Sequence, residues 1–249
     1  MNSDLQQNIK FDFKTLPVHV GIIMDGNGRW AKKKMMNRIK GHRYGSDTVH
    51  SIVTTSKELG IKVLTLYAFS TENWARPENE VKALMTLLKK FIISQRSKLL
   101  ENDICFNIIG QKYRLPPDVQ KEINTTIDLT KNNKQMILNL ALSYGAREEI
   151  TTAVQTIAQK IESGMLSSEN ITQKLISDHL YTGSMPDPDL IIRTGGEYRL
   201  SNFLLWQAAY SEIYISDTLW PDFSKEEFIH ILKNYQKRDR RFGKVRCSI

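Results

Sequence analysis

The chain of 249 residues predicts an α/β fold, one domain built on a central, mostly parallel sheet with helices on both faces. Three observations lead there. Short apolar runs alternate with longer segments of helical period along the whole chain. Those runs are almost continuously apolar, as strands covered on both faces require. No internal repeat, low-complexity tract or long linker divides the sequence. A composition of 41% hydrophobic and 25% charged residues supplies a core and excludes a disordered chain.

The elements follow in order. Val18 to Met24 reads as a buried strand ended by Asp25-Gly26-Asn27-Gly28. From Gly41 to Leu59, Val49, Ile52 and Val53 share one helical face, and Gly60 stops the helix. Lys62 to Phe69 is a strand, and Pro77 precedes a long helix from Glu78 to Leu100. Ile104 to Ile109 is the third strand, and Pro116-Pro117 opens another helix, a favoured place for proline. Met136 to Leu142 is a strand followed by a helix over Ala146 to Ile161. Asp189 to Ile192 and Ile213 to Ile215 are short strands, and Phe223 to Tyr235 is a closing helix with Ser224 as its N-cap. The expected division is a flexible segment over 1–16, the domain over 17–245 and a tail over 246–249.

Charge narrows the partners. Lys and Arg number 35 against 27 Asp and Glu, a net +8, so an anionic partner is expected. Nucleic acid, an acidic membrane surface and a phosphorylated small molecule all satisfy that charge. The basic residues are not interleaved with aromatics in one stripe and no nucleic-acid-binding motif is present, which argues against nucleic acid. Cys105 and Cys247 have no metal-ligand or disulfide spacing. Met1 to Lys14 lacks the apolar core of a signal peptide, and no run of about 18 apolar residues occurs. A soluble, cytoplasmic protein is expected.

In open α/β sheets ligands bind beyond the C-terminal ends of the strands, so the residues after each strand carry the search. Asp25-Gly26-Asn27-Gly28-Arg29-Trp30 combines two glycines, which let backbone approach an anion, with a guanidinium suited to phosphate. Asp25 beside such a cradle suits a Mg²⁺ ligand, although a plain turn with a capping Asp accounts for the same residues. Arg38, His42 and Arg43 extend the basic character. Ser70-Thr71-Glu72-Asn73-Trp74-Ala75-Arg76-Pro77 follows the second strand as a polar loop, and Arg193, Arg199 and Ser201 surround a Gly195-Gly196 turn. Glu212 is a candidate second carboxylate for the metal. Two basic anion sites sharing carboxylates are what joining two diphosphates requires; a metal-dependent phosphohydrolase acting on one substrate is the competing enzyme class.

Three of these runs, in order, resemble the signatures of cis-prenyltransferases, above all the bacterial undecaprenyl diphosphate synthases. They are His19 to Ala31, Leu66 to Pro77, and Asp189 to Glu197 with Arg199 to Trp206. The resemblance covers about Pro17 to Val245. It implies a homodimeric α/β enzyme with a hydrophobic tunnel and a Mg²⁺ cofactor. Its reaction adds isopentenyl diphosphate repeatedly to an allylic diphosphate, with (2E,6E)-farnesyl diphosphate as the expected starter. The expected product is undecaprenyl diphosphate, precursor of the lipid carrier for cell-wall polysaccharide; a shorter cis product is the alternative. Asp25 is then the metal-binding catalytic aspartate and Glu212 a second metal ligand. Gly26, Asn27, Gly28, Arg29, Trp30, Arg38 and His42 hold the allylic diphosphate. Asn73 belongs to the catalytic loop with Ser70, Thr71 and Glu72, and Trp74 and Arg76 position substrate. Arg193, Arg199, Leu200 and Ser201 hold isopentenyl diphosphate. Arg241-Phe242-Gly243 resembles an element that reaches the partner's site, and delivery of an apolar product implies peripheral membrane contact. Ala146 and Tyr198 depart from the family pattern.

Overall fold

A computed structural model describes residues 15–238. The tail over 246–249 and the Arg241-Phe242-Gly243 element therefore lie outside the described residues. Six strands form one sheet: β1 His19–Ile23, β2 Val63–Ser70, β3 Ile104–Ile109, β4 Met136–Tyr144, β5 Leu190–Arg193 and β6 Glu212–Ile215. Their order is β3-β4-β2-β1-β5-β6, with every neighbouring pair parallel. The helices are α1 Asn27–Lys33, α2 Arg38–Leu59, α3 Glu78–Glu101, α4 Pro117–Thr130, α5 Ala146–Glu162, α6 Gln173–His179 and α7 Lys225–Gln236.

Successive side chains of a strand face opposite sides of the sheet, so β1 contributes to two cores. Val20 and Ile22 join the larger core, with α2, α3, α4 and α7. Ile23 joins a smaller one with Ile191, Tyr144, Phe203 and Leu204 on the other face. Leu16 packs against the larger core and the Thr15 hydroxyl accepts from Gln236, while residues 1–14 of the segment expected to be flexible lie outside the described residues.

Helix boundaries follow their caps. α2 starts at Arg38 rather than Gly41 because the Asn37 side chain accepts from the Lys40 amide. α7 starts after Ser224, whose hydroxyl accepts from the Glu227 amide, as the sequence predicts. α1 opens after Gly26, whose φ of 113° is a left-handed backbone that favours glycine.

A buried polar chain crosses the sheet. Asn107 of β3 donates to Asn139 of β4 (3.1 Å), which donates to Thr65 of β2 (3.3 Å). Thr65 lies 2.8 Å from His19 Nε2, and His19 Nδ1 lies 2.7 Å from the Pro186 carbonyl. A carbonyl only accepts, so Nδ1 carries the proton and Nε2 accepts from the Thr65 hydroxyl. Burial, above all, holds the His19 pKa down at about 4. A histidine depressed below its unfolded value of about 6.5 contributes full stability above pH 6.5, lost progressively as pH falls toward 4. Between pH 7.5 and 5, His19 is expected to cost the fold on the order of 2 kcal/mol. Urea unfolding at both pH values tests this: His19→Gln should show a loss smaller than wild type by about that amount, and an equal loss would refute the assignment.

Candidate active site

The chain leaves β1 toward β2 on one side and returns to β5 on the other, so a crevice opens between the C-terminal ends of β1 and β5. The register pairs Ile23 with Arg193, which brings Asp25, two residues beyond β1, to the end of β5. The Asp25 carbonyl accepts from the Thr194 hydroxyl (2.7 Å) and the Trp220 amide (3.0 Å), fixing the backbone. Its carboxylate lies 3.0 Å from Arg193 Nη2 and 3.2 Å from Arg29 Nη2.

Arg193 is nearly buried, its side chain 6% exposed. It also donates to Ser201 Oγ (2.8 Å) and to the Arg199 carbonyl. Glu197 accepts from Arg29 (3.2 Å) and Arg199 (2.6 Å), and so spaces two exposed guanidiniums around the Gly195-Gly196 turn. A second basic group flanks the crevice from α2 and α3. Glu80 pairs with Arg76 (3.2 Å) and Arg38 (3.7 Å), and His42 lies beside them. Burial first, then the neighbouring Arg76, brings the His42 pKa down to about 4, with Arg38 adding to the effect against Glu80.

These groups rim a cavity of about 610 Å³. Asp25, Asn27, His42, Ser70, Asn73 and Arg193 form its polar mouth; Val49, Leu84, Leu88, Phe91, Leu140 and Leu142 line its apolar depth, between α2 and α3 over β2 and β4. Where the resemblance implies a hydrophobic tunnel, the structure has this apolar cavity between α2 and α3. The Asn27 side-chain oxygen is buried at the mouth without a hydrogen-bond partner among the described residues.

The polar loop after β2 is a 3₁₀ helix over Thr71–Ala75. Ser70 and Asn73 cap it reciprocally: the Asn73 carbonyl oxygen accepts from the Ser70 amide (3.2 Å) while Ser70 receives the Asn73 amide. Arg76 leaves this turn toward Glu80.

Four expected site residues take other places. Trp30 is buried, donates to Asp222 (2.7 Å) and packs its ring on Tyr44. Trp74 donates to Ser143 (2.8 Å) and packs edge-on against Phe69 beneath Arg114. Leu200 packs onto the smaller core. Neither tryptophan lines the cavity, since each indole N–H is satisfied inside the fold. Glu212 starts β6 level with Leu190 and Val20, hence ~10 Å across the sheet and at least ~10 Å along it from Asp25. It pairs with Arg238 instead. Within one chain the two carboxylates do not share a metal. Among the described residues no group of three or more His, Cys, Asp or Glu could hold one. Asp25 alone nonetheless suits Mg²⁺, which commonly takes one or two carboxylates and completes its shell with water and substrate phosphate oxygens.

Sequence reasoning missed Glu80 and Asn202. Asn202, at φ 62°, accepts the Ala146 amide on its carbonyl (2.8 Å) and the Arg147 amide on its side chain (2.9 Å), capping α5 from a distant loop. Its amide donates to Glu72 (3.1 Å) and Glu148 (3.2 Å). One side chain thus ties the loop carrying Ser201 to the turn carrying Asn73. Asn202→Asp would set a third carboxylate against two others. At pH 7.5 it should unfold more readily than Asn202→Ala by about 1–2 kcal/mol, a gap that closes as pH falls toward 4 and carboxylates protonate. Urea titration of both variants checks this; a gap independent of pH would contradict the hydrogen-bond directions.

Comparison with known proteins agrees with this geometry. Residues 23–243 match the family model described as "Putative undecaprenyl diphosphate synthase". The isoprenyl transferase of Geobacter sulfurreducens is 53% identical over 94% of this chain and 95% of its own, and that of Chlorobaculum tepidum is 52% identical over 92% and 87%. Lavandulyl diphosphate synthase from Lavandula x intermedia, solved in complex with dimethylallyl diphosphate, superposes with a TM-score of 0.91 at 39% identity, covering 93% of this chain and 100% of that one. A probable undecaprenyl diphosphate synthase from Campylobacter jejuni gives 0.76 at 35% identity, covering 92% and 99%. With its crevice arginines, its apolar cavity and this likeness over almost its whole length, the chain belongs to the cis-prenyltransferase family of undecaprenyl diphosphate synthases and is a prenyl-transferring enzyme of isoprenoid biosynthesis.

Proposed function

We propose that the enzyme condenses isopentenyl diphosphate repeatedly with an allylic diphosphate, farnesyl diphosphate in the first instance, and releases undecaprenyl diphosphate for cell-wall polysaccharide synthesis. One observation carries this reading: a carboxylate flanked by two guanidiniums stands at the mouth of a cavity that turns apolar with depth. The solved complex of a family member with dimethylallyl diphosphate supports the allylic class of substrate.

In each cycle the allylic C1–O bond breaks, isopentenyl C4 bonds to C1, and a proton leaves isopentenyl C2. Charge accumulates on the departing diphosphate, which Arg29, Arg38 and His42 would hold together with the Gly26–Gly28 turn. Arg193, Arg199 and Ser201 hold the second diphosphate, and fixing both reactants side by side supplies the proximity term. Asn73 is an amide and a poor base; held by Ser70, it orients the water or diphosphate oxygen that accepts the proton. Asp25 would hold Mg²⁺ against the diphosphates, and that ion neutralises the leaving group when bound. The growing chain enters the apolar depth, where each buried CH₂ contributes about 0.8 kcal/mol and retains intermediates. Exposed apolar residues around edge strand β6, Leu205 and Ile213 among them, favour a homodimer. We place the enzyme in the cytoplasm, with transient contact to a membrane at release.

Purified protein incubated with farnesyl diphosphate, labelled isopentenyl diphosphate and Mg²⁺ should yield long labelled polyprenols after dephosphorylation. Asp25→Ala or EDTA should lower incorporation at least ~100-fold. No incorporation with any allylic starter would overturn the proposal.

His42 yields a second test. Its depressed pKa in the free protein should rise when a diphosphate arrives, so binding takes up a proton and weakens as pH climbs through the pKa of the complex. Calorimetry of farnesyl diphosphate binding near pH 6.5, in buffers of differing ionisation heat, should register that uptake. His42→Gln should abolish it; uptake of the same size in the variant would assign the proton elsewhere.

A further inference from the structure

The turn between α1 and α2 carries a surface that the reaction does not use. From Gly26 to Ser46 the sequence holds seven Lys or Arg and no Asp or Glu. Arg29 and Arg38 turn toward the crevice, but Lys32, Lys33, Lys34, Lys40 and Arg43 are exposed. Apolar side chains stand among them. Met35 is 96% exposed, and Ile39 and Tyr44 are also open to solvent. Ile39 and Arg43, like Lys40 and Tyr44, are four residues apart on α2 and share its outer face.

Met35 occupies a costly position. The Met36 amide reaches back to the Ala31 carbonyl (2.8 Å) and the Met35 amide to that of Lys32 (3.1 Å), the paired bonds of a Schellman helix end. The residue at that point adopts a left-handed backbone, here φ 53°, which favours glycine or asparagine. Among the described residues nothing compensates an unbranched apolar residue there, since its side chain stands almost wholly in solvent. An apolar tip inside a ring of ammonium groups has the chemistry of a bilayer interface, where the tip enters the acyl boundary and the cations meet anionic headgroups.

We propose that the α1–α2 turn docks the enzyme on an anionic lipid bilayer, Met35 inserting and Lys32, Lys33, Lys34, Lys40 and Arg43 pairing with headgroups. The turn adjoins the mouth through Arg29 and Arg38, so docking holds the mouth at the lipid surface. That purpose rests on the prenyltransferase reading above; the docking itself does not.

Full-length protein would be sedimented with vesicles of phosphatidylcholine alone and of phosphatidylcholine mixed with phosphatidylglycerol, at low and physiological salt. Wild type should bind the mixed vesicles only, and less at higher salt. Lys32→Ala/Lys33→Ala/Lys34→Ala should weaken partition roughly a hundredfold. Equal charge removal on and after α4, Lys121→Ala/Lys131→Ala/Lys134→Ala, should leave it within a fewfold. Met35→Gly should weaken partition roughly tenfold. The same change should raise Tm by about 2 °C through relief of backbone strain, so that stability and binding move in opposite directions.

Wild type left in the supernatant with anionic vesicles, or equal loss from both triple variants, would overturn the proposal. So would binding to duplex DNA that exceeds binding to vesicles. Isopentenyl incorporation in detergent, measured in parallel, should be unchanged in the turn variants. Its absence in wild type that still binds vesicles would overturn the catalytic reading alone.

Discussion

The contact between Asp25 and Arg193 is the interaction on which the rest of the site depends. It is imposed by the sheet, because β1 and β5 are adjacent and in a register that ends both at the same level. Arg193 is almost wholly buried, with its Nε unpartnered among the described residues, so its charge is supported by Asp25, Ser201 and the Arg199 carbonyl. Removing the carboxylate would strand a buried cation, which is more costly than losing the pair as a unit. Asp25 therefore both holds Arg193 in place and lines the cavity mouth, and a truncation cannot separate the two.

The same contact organises the remaining charges. Arg29 shares Asp25 with Arg193, and Glu197 then draws Arg29 and Arg199 together from the other side. On the opposite rim Glu80 does the same for Arg38 and Arg76. Each group keeps more guanidinium than carboxylate, so the apo site is tolerable in charge yet holds a cationic surplus for an anion. His42 fits the pattern: burial first, then the neighbouring arginines, favour its neutral form.

Much of this was legible in the chain, for reasons that differ by residue. The strands declared themselves because a parallel sheet covered on both faces needs continuous apolar runs, and Ile104–Ile109 matches its expected bounds. α1 was harder to see: its seven residues end in lysines and lack an apolar period. α6, also seven residues, is set by its Thr172 cap rather than by periodicity. That Asp25, Arg193 and Ser201 meet at the crevice was legible because residues after strand ends gather there. Glu80 could not, since an acid in the first turn of a helix reads as a partner of the helix dipole. Asn202 was hidden because its partners Glu72 and Glu148 lie 130 and 54 residues away. The distance of Glu212 from Asp25 within one chain was not legible, because sequence adjacency to a strand does not say which end of the sheet that strand's start occupies; the pairing of Glu212 with Leu190 does.

The smaller core on the far side of the sheet explains how the loop carrying Ser201 and Asn202 keeps its shape. Ser201, Asn202 and Leu204 all have positive φ, at 50°, 62° and 46°, and Ser143 at the end of β4 has 48°. Such residues cost about 1–2 kcal/mol each, so a free loop would relax out of this form. Phe203 and Leu204 are fully buried between Tyr144 and Ile191, and burial of each side chain contributes about 2–3 kcal/mol. Tyr67 stacks on Phe203 while its hydroxyl reaches the Tyr144 and Ser201 carbonyls. Beneath them Glu149, its pKa raised by burial, accepts from the Tyr144 hydroxyl (2.5 Å), the Tyr181 amide and Gln207. Apolar packing on one face of the sheet thus offsets the strain that presents Ser201 and Asn202 on the other side of the loop. The placement of Ser201 and Asn202 is accordingly set by a core centred on the face of the sheet opposite the cavity's apolar depth.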